Sequence, residues 1–281
     1  MLKREDIRIR DPFIYTDTEN NCYYMYGTTD LMYGGYCTKN KFSVYRSYDL
    51  ENFEEPKVIF DGSEINFWAD KDFWASELHR YKDKFYLLGS CIADGKCRGT
   101  HIFVCDTPDG DFMPLSDEPI TPRDWECLDG TLWLENGVPY IVFCHEWLQV
   151  KDGEICAVQL SDDLTRRVGE PFLLFRASEN PYVSELKQGT GNYVTDGPFL
   201  YCENGKINML WSSSYKGKYA VFLAQSNSIK GKWEHKKTDF DFDCGHAMMF
   251  ERLDGELMLS LHYPNTTNNE RAVFHKYDVA V

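Results

Sequence analysis

Four acidic residues and one histidine recur at comparable intervals along this 281-residue chain. They are Asp11, Glu77, Asp129, Asp196 and His246, separated by 66, 52, 67 and 50 residues. Carboxylates that are held close together raise each other's pKa values, because like charges repel in a poorly solvated site. Hydrolysis of a glycosidic bond needs such a set, with one protonated acid and one ionised base. The pattern therefore predicts acid–base chemistry if the fold brings these side chains together.

Each of these residues stands at the start of the same local pattern: a short hydrophobic strand, a polar turn and a second strand rich in aromatic residues. The five units start near residues 11, 74, 128, 195 and 245 and fill the chain. Repeats of this length with short antiparallel strands are typical of propellers, whose blades surround a central channel. We predict an all-β fold, a single five-bladed β-propeller over residues 1–281. The alternative, a generic antiparallel protein with coincidental turns, would not repeat a polar residue at the start of the same strand five times.

The first strand of each propeller blade lines the channel, so the five residues are expected to form a ring at one mouth. The second strand runs back to that mouth and brings seven further polar residues close to the ring: Thr28, Ser90, His145, Glu146, Ser212, Ser213 and His262. Five tryptophans lie near the ring residues in the sequence, and one or two of them should stack on a sugar: Trp68, Trp74, Trp125, Trp133 and Trp147. We therefore predict that a substrate contacts Trp74, Glu77, His145, Glu146 and His246.

The composition argues against several classes of partner. The net charge of −15 would repel phosphate backbones and anionic membrane surfaces, so we expect neither nucleic acid nor membrane as a partner. The first residues lack the apolar segment of a secretion signal, and no apolar run approaches the ~18 residues of a membrane span. This pattern predicts a cytoplasmic protein. The ten cysteines are scattered without metal-type pairs, so we expect free thiols in a reducing compartment.

Five motifs in this order resemble glycoside hydrolase family 43, and the resemblance covers essentially the entire chain. The motifs are Arg10-Asp-Pro-Phe-Ile14, Trp74-Ala-Ser-Glu77, Leu128-Asp-Gly-Thr-Leu132, Thr195-Asp-Gly-Pro-Phe-Leu200 and Gly245-His246. Any one of them alone could be an ordinary turn. The resemblance implies a five-bladed propeller that acts as an inverting β-xylosidase, α-L-arabinofuranosidase or arabinanase.

The resemblance also implies a role for each matching residue. Asp11 matches the family's general base, Asp129 the carboxylate that tunes and orients the acid, and Asp196 the general acid. His246 matches a histidine on the channel axis, near which members of the family hold a calcium ion, a sodium ion or only water. We therefore expect no required cofactor and a structural ion that His246 holds through water, with a hydrogen-bonded core histidine as the equal alternative.

The chain departs from the family at Asp196, where the family usually has glutamate. Aspartate is one methylene shorter, and an inverting pair of carboxyl groups must stand ~6.5–9.5 Å apart to admit a water molecule. Three interpretations stay open, in this order of preference. Asp196 is the acid and the substrate sits deeper; Glu146 or Glu77 has taken the role; or the protein is a weak or inactive sugar binder. For Glu77 we favour a structural hydrogen bond to a neighbouring blade.

A second resemblance, to the fructan-processing retaining propellers of families 32 and 68, rests on Arg10-Asp-Pro12 and Glu126-Cys127. The order of motifs argues against it, because in those enzymes a nucleophile motif precedes the Arg-Asp-Pro motif. The favoured function is an inverting, chain-end hydrolase that releases xylose or arabinofuranose from short plant oligosaccharides. A carbohydrate-binding propeller with an acidic ring as a relic is the non-enzymatic alternative.

Overall fold

A computed structural model describes residues 1–33, 36–236 and 243–277, and it confirms the predicted five-bladed β-propeller. Within these residues five sheets form a ring, and each innermost strand contacts the innermost strands of the two neighbouring blades. The fifth blade packs against the first and closes the ring. No helix in the described part of the chain has both the length and the apolar character that a membrane span requires.

Blade 1 contains the N-terminal strands, with a small hairpin inserted after its second inner strand: β1 (Leu2–Lys3), β2 (Arg10–Asp17), β3 (Cys22–Thr28), hairpin strands β4 (Met32–Tyr33) and β5 (Tyr36–Cys37), β6 (Lys41–Ser47), β7 (Asn52–Phe53) and β8 (Lys57–Asp61). Its sheet order is β1-β7-β6-β3-β2, and β8 also pairs with β6. Blade 2 follows with β9 (Lys71–Tyr81), β10 (Lys84–Ile92), β11 (Gly99–Cys105) and β12 (Met113–Pro114).

The remaining blades also run outward from the channel in chain order. Blade 3 comprises β13 (Cys127–Glu135), β14 (Val138–His145), β15 (Glu154–Leu160) and β16 (Arg167–Arg176). Blade 4 comprises β17 (Asp196–Glu203), β18 (Lys206–Tyr215), β19 (Lys218–Ser226) and β20 (Glu234–Lys236), and blade 5 comprises β21 (Gly245–Glu251), β22 (Leu257–Tyr263) and β23 (Arg271–Lys276). Among the residues that the structure describes, the helical elements are one turn, α1 (Trp147–Val150), and three 3-10 turns at Arg4–Asp6, Gly62–Glu64 and Ala177–Glu179.

Local sequence explains the tight hairpins of blades 3 and 4. The turn from β13 to β14 contains Asn136 and Gly137, and the turn from β17 to β18 contains Asn204 and Gly205. All four residues have positive φ, between 51° and 81°. This is the conformation of type I′ turns, whose twist matches that of the flanking strands, and Asn-Gly is the pair that adopts it most readily.

The core lies between the blades, because each sheet packs face to face against its neighbours. The middle strands are therefore buried on both faces, as in β3, where all seven residues are buried. Phe42, Phe60, Phe73 and Phe103 form one such contact between blades 1 and 2, with the rings of Phe60 and Phe103 only 4.5 Å apart. Each buried ring of this kind contributes roughly 1.5–3 kcal/mol of hydrophobic stabilisation.

Every innermost strand carries a β-bulge near its first residue, as the strand pairings show. One residue of each bulge has a left-handed backbone, with φ between 45° and 57°: Asp11, Ala75, Asp129, Gly197 and His246. We call these the bulge residues. The residues immediately before them are the pre-bulge residues: Arg10, Trp74, Leu128, Asp196 and Gly245.

The sequence-based alignment of the five units was therefore wrong in two blades. It matched Glu77 and Asp196 to Asp11, whereas Ala75 and Gly197 occupy that position in the structure. Asp196 is a pre-bulge residue, and Glu77 lies two residues beyond the bulge residue of blade 2. A shift of one residue along a strand turns the side chain to the opposite face. The position of each bulge therefore decides which side chains meet at the channel.

Hydrogen bonds between blades hold the bulges. The N–H groups of Ala75, Asp129 and His246 donate to the hydroxyl oxygens of Thr28, Ser90 and Ser212, each at 2.8 Å, and the N–H of Asp11 donates to Nδ1 of His262 at 3.3 Å. These four acceptors lie within the last four residues of the second strand of the preceding blade. The equivalent residue of blade 3 is Cys144, which has no hydroxyl group. The N–H of Gly197 in blade 4 donates instead to Oδ2 of Asp129 in blade 3, at 3.0 Å.

Candidate active site

A cavity of about 350 Å³ opens at the channel mouth where the innermost strands begin. This volume is at the low end of the range for small-molecule sites. Bulge and pre-bulge residues line it together with residues of outer strands and loops. The lining residues are Arg10, Asp11, Thr28, Met32, Trp74, Leu128, Asp129, Glu146, Trp147, Leu186, Val194, Asp196, Tyr219, His246, Asn265 and Thr267.

Asp11 is buried beside two positive charges. Its Oδ1 lies 3.1 Å from Nδ1 of His246 and 3.5 Å from Nε of Arg10, and its Oδ2 accepts a hydrogen bond from the Thr28 hydroxyl at 3.0 Å. Burial alone would raise the pKa of Asp11, but the charges of His246 and Arg10 outweigh burial and hold that pKa well below its usual range. Asp11 is therefore ionised at neutral pH.

His246 is the cation that balances the acidic ring. Its Nδ1 lies 3.1 Å from Oδ1 of Asp11 and 3.8 Å from Oδ2 of Asp129. Burial opposes a charged imidazole, but these two carboxylates, Asp11 first, raise the pKa of His246 to about 10. The neighbouring His262 is the opposite case, because burial lowers its pKa to about 3 and its Nδ1 accepts the N–H of Asp11.

Asp129 and Asp196 share the other side of the cavity. Burial raises the pKa of Asp129 to about 7, against the nearby His246 cation and with a further upward contribution from Asp196 and Asp11. Burial also raises the pKa of Asp196, although Arg10 and a hydrogen bond from Tyr219 act in the opposite direction. The Tyr219 hydroxyl donates to Oδ2 of Asp196 at 2.9 Å.

Glu146 is a third protonatable carboxyl on the cavity wall. It links the end of β14 to helix α1, and burial raises its pKa to about 7 despite the attraction of Arg98. Arg98 also stacks on the Trp74 ring, with its guanidinium carbon 3.7 Å from the ring centroid, and pairs with Asp72 at 3.0 Å. Trp74 is thus held by Arg98 and contributes an aromatic surface to the cavity.

Two residues predicted to contact substrate do not line the cavity. Glu77 is buried and lies 3.1 Å from Nε2 of His79 on its own strand, rather than bonding to a neighbouring blade. His145 stacks on Trp125 at 4.3 Å and binds Gln149 and Glu154 through its two ring nitrogens. The other predicted residues do line it: Asp11, Trp74, Asp129, Glu146, Asp196 and His246.

Sequence reasoning gave no role to four polar residues of the cavity lining: Arg10, Tyr219, Asn265 and Thr267. Arg10 stood within a quoted motif but received no role, although it contacts Asp11 and lies near Tyr219. Tyr219 is near the start of β19, and a third strand runs parallel to the first and so begins at the same mouth. That topological rule was the available signal for Tyr219.

The residues around His246 do not fit a cation held directly by protein side chains. Calcium prefers six to eight oxygen ligands, and the described residues contain no group of three or more His, Cys, Asp or Glu side chains that could hold a metal ion. A protonated His246 would also repel a cation. An ion held through water stays a prediction, and no chemical step below depends on it.

The model of glycosyl hydrolases family 43 matches residues 6–276. The chain belongs to glycosyl hydrolase family 43. As a member of family 43 it is a glycoside hydrolase, and the fructan-processing families are disfavoured.

Solved structures agree with the family assignment. An endo-arabinase of Bacteroides thetaiotaomicron VPI-5482 is 39% identical to this family 43 chain, with a TM-score of 0.90 over 99% of this chain and 97% of that one. An endo-1,4-beta-xylanase of the same strain (24% identity, TM-score 0.79, 99% and 93% covered) shares the fold. An alpha-L-arabinofuranosidase of Lactobacillus brevis (18% identity, TM-score 0.73, 96% and 91% covered) also shares it. A search of curated protein sequences gave no match.

Proposed function

We propose that this protein is an inverting hydrolase of α-L-arabinofuranosyl linkages in short arabinan-derived oligosaccharides. The observation that carries the proposal is the separation of carboxyl pKa values around one cavity. The pKa of Asp11 is lowered, whereas those of Asp129 and Asp196 are raised. Groups whose pKa values are driven apart are the acid and base of such a site. The arabinose preference follows the 39% identity to an endo-arabinase.

Asp11 is suited to act as the general base. It is ionised because His246 and Arg10 hold its pKa down, and it lines the cavity. A water molecule in the cavity can donate a hydrogen bond to this carboxylate. Asp11 accepts the water proton while the water oxygen attacks the anomeric carbon.

Asp196 is suited to act as the general acid. Its raised pKa favours the protonated carboxyl, and Tyr219 occupies Oδ2, which leaves Oδ1 to give a proton to the leaving oxygen. Asp129 is next to this carboxyl in space, because its Oδ2 accepts the N–H of Gly197, the residue that follows Asp196. We assign Asp129 the role of tuning and orienting the acid.

A single attack by water inverts the anomeric centre, whereas a covalent intermediate would retain it. Proton NMR of the first sugar released from an aryl α-L-arabinofuranoside, recorded before mutarotation, separates the two mechanisms. We expect the β-anomer. Release of the α-anomer, or a glycosyl group trapped on Asp11, would refute the assignment of Asp11 as a base.

A substrate screen tests the sugar. We expect hydrolysis of aryl α-L-arabinofuranosides and α-1,5-linked arabino-oligosaccharides, with much slower turnover of aryl β-D-xylosides. The sizes of the products from arabinohexaose then distinguish release of single sugars at a chain end from internal cleavage. Faster turnover of the xyloside would overturn the arabinose assignment while leaving the carboxylate roles intact.

Variants identify the acid. A good leaving group needs little protonation, so Asp196→Ala should slow sugar leaving groups far more than activated aryl ones. Glu146→Ala is the matched comparison, since Glu146 lines the same cavity with a raised pKa. Glu77→Ala is the control outside the cavity. If Glu146→Ala shows the selective loss and Asp196→Ala does not, Glu146 is the acid.

A further inference from the structure

Tyr219 fills the space in front of blade 5 that a side chain would otherwise occupy. A Cβ built on the pre-bulge residue Gly245 would lie 1.9 Å from Cε1 and 2.2 Å from Cδ1 of Tyr219. No real Cβ contact is this short, so the ring can lie there only because residue 245 is glycine. Four pre-bulge positions carry side chains, and in blade 5 a tyrosine from blade 4 takes that place.

The Tyr219 ring is held from two further sides. It stacks on the imidazole of His262, with centroids 5.6 Å apart and an interplanar angle of 18°. The guanidinium of Arg10 lies 5.6 Å from the ring centroid. His262 and Arg10 are in turn joined, because both bind Oδ1 of Asn265, at 3.2 and 2.6 Å. The ring therefore has little freedom to move, and its hydroxyl is fixed 2.9 Å from Oδ2 of Asp196.

We propose that Tyr219 is the positioning residue for Asp196, fixing the carboxyl of this shorter acid through the bond to Oδ2 and leaving Oδ1 as the oxygen that carries the proton. This inference rests on the proposed function for the role of Asp196 as the acid. The hydrogen bond itself belongs to the fold and exists in the absence of substrate. Tyr219 acts through Asp196, so its removal should affect the proton donation and not the base.

The bond also has an electrostatic consequence. The charged and titratable groups that face Asp196 are Arg10 and Asp11 from β2, Asp129 from β13, Cys144 from β14, Glu146 after β14, Tyr219 from β19 and His246 from β21. Burial and the carboxylates favour the protonated acid, whereas Arg10, His246 and the Tyr219 hydroxyl favour the ionised form. Tyr219 thus limits how far the pKa of Asp196 rises, so that the proton can still be released.

The test measures the pKa of Asp196 without any substrate. Protein labelled with ¹³C at the aspartate carboxyl is titrated by NMR, and the Asp196 signal is assigned from its absence in Asp196→Asn. Tyr219→Phe keeps the ring and removes only the hydroxyl. Since a hydrogen bond to a charged group contributes roughly 1.5–3 kcal/mol, we expect the pKa of Asp196 to rise by about 1–2 units. An unchanged or lower pKa would overturn the proposal.

Tyr201→Phe is the matched control, because Tyr201 is a buried tyrosine of the same blade whose hydroxyl contacts Tyr277. It should leave the pKa of Asp196 unchanged. If Tyr219→Phe fails to fold, an NMR titration of the unmodified protein tests the same hydrogen bond between Tyr219 and Asp196. The ¹³Cζ signal of Tyr219 should shift with the same midpoint as the Asp196 carboxyl, and a Tyr219 signal indifferent to that midpoint would overturn the bond.

Kinetics then test the catalytic consequence. For Tyr219→Phe we expect the basic limb of the pH profile of kcat/KM to move to higher pH, with about a tenfold loss on arabino-oligosaccharides and little loss on activated aryl substrates. Equal losses on both substrates with an unmoved basic limb would indicate a merely structural residue and overturn the proposal. If the protein hydrolyses no arabinofuranoside at all, the proposed function fails, but the two NMR titrations still decide whether Tyr219 controls Asp196.

Discussion

Replacing Gly197 by alanine perturbs the site through backbone and packing without altering a charge. Gly197 has φ 52°, and a Cβ built on it would lie 2.7 Å from Cγ and 2.8 Å from Nδ1 of His246. The substitution therefore has two costs. The left-handed backbone disfavours any residue with a Cβ by roughly 1–2 kcal/mol, and overpacking against the imidazole adds roughly 1–3 kcal/mol.

Gly205→Ala separates these two costs. Gly205 lies in the turn of the same blade, with φ 72° and no atom within 4 Å of its built Cβ. It shares the backbone cost and the effect on the unfolded chain, but it has no clash. The difference in the free energy of unfolding between the two variants should therefore equal the overpacking cost, about 1–3 kcal/mol. Urea denaturation of both variants at one pH measures it.

The two variants should also differ in activity. Displacing His246 moves the cation whose charge holds down the pKa of Asp11, and a shift of about 1 Å near reacting groups can cost up to about a hundredfold in rate. We expect Gly197→Ala to lose at least tenfold in kcat/KM on an aryl arabinofuranoside and Gly205→Ala to match the wild type. Equal stability and equal activity in the two variants would refute the packing of Gly197 against His246.

Three further predictions follow from the same groups. Asp11→Asn should lower kcat about 10²–10⁴-fold while arabino-oligosaccharide binding, measured by calorimetry, persists; unchanged turnover would refute the assignment of Asp11 as the base. His246 has a pKa raised above that of the unfolded chain, so its contribution to stability is complete below about pH 6.5 and declines as the pH rises toward 10. The urea midpoint should therefore fall between about pH 6.5 and 8.5, and this slope should be smaller in His246→Gln; equal slopes would contradict a charged His246. Asp196→Glu should slow cleavage of arabinobiose about tenfold, because the Tyr219 contact at 2.9 Å leaves no room for a longer side chain on that side, and a faster enzyme would show that aspartate is too short.

The sequence alone determined the repeat, the fold and the chemical class of the site. Asn-Gly turns and alternating aromatic strands are local signals, since backbone preference and side-chain periodicity act over a few residues. Asp11, Asp129 and His246 were aligned correctly because each follows the same strand start in its own repeat. These signals are present in every copy, so five weak patterns reinforced one another.

Tertiary structure decided which side chains meet and what their charges are. The bulge of blade 2 uses Ala75, a residue with no preference for positive φ, so sequence gave no reason to align it in place of Glu77. Tyr219 and Arg98 reach the cavity wall and its Trp74 from a third strand and a loop, far along the chain from the residues they contact. The pKa values of Asp11 and Asp196 depend on burial and on charges from other blades. Such interactions depend on distance and are strong in a poorly polarisable interior, and only the folded chain sets those distances.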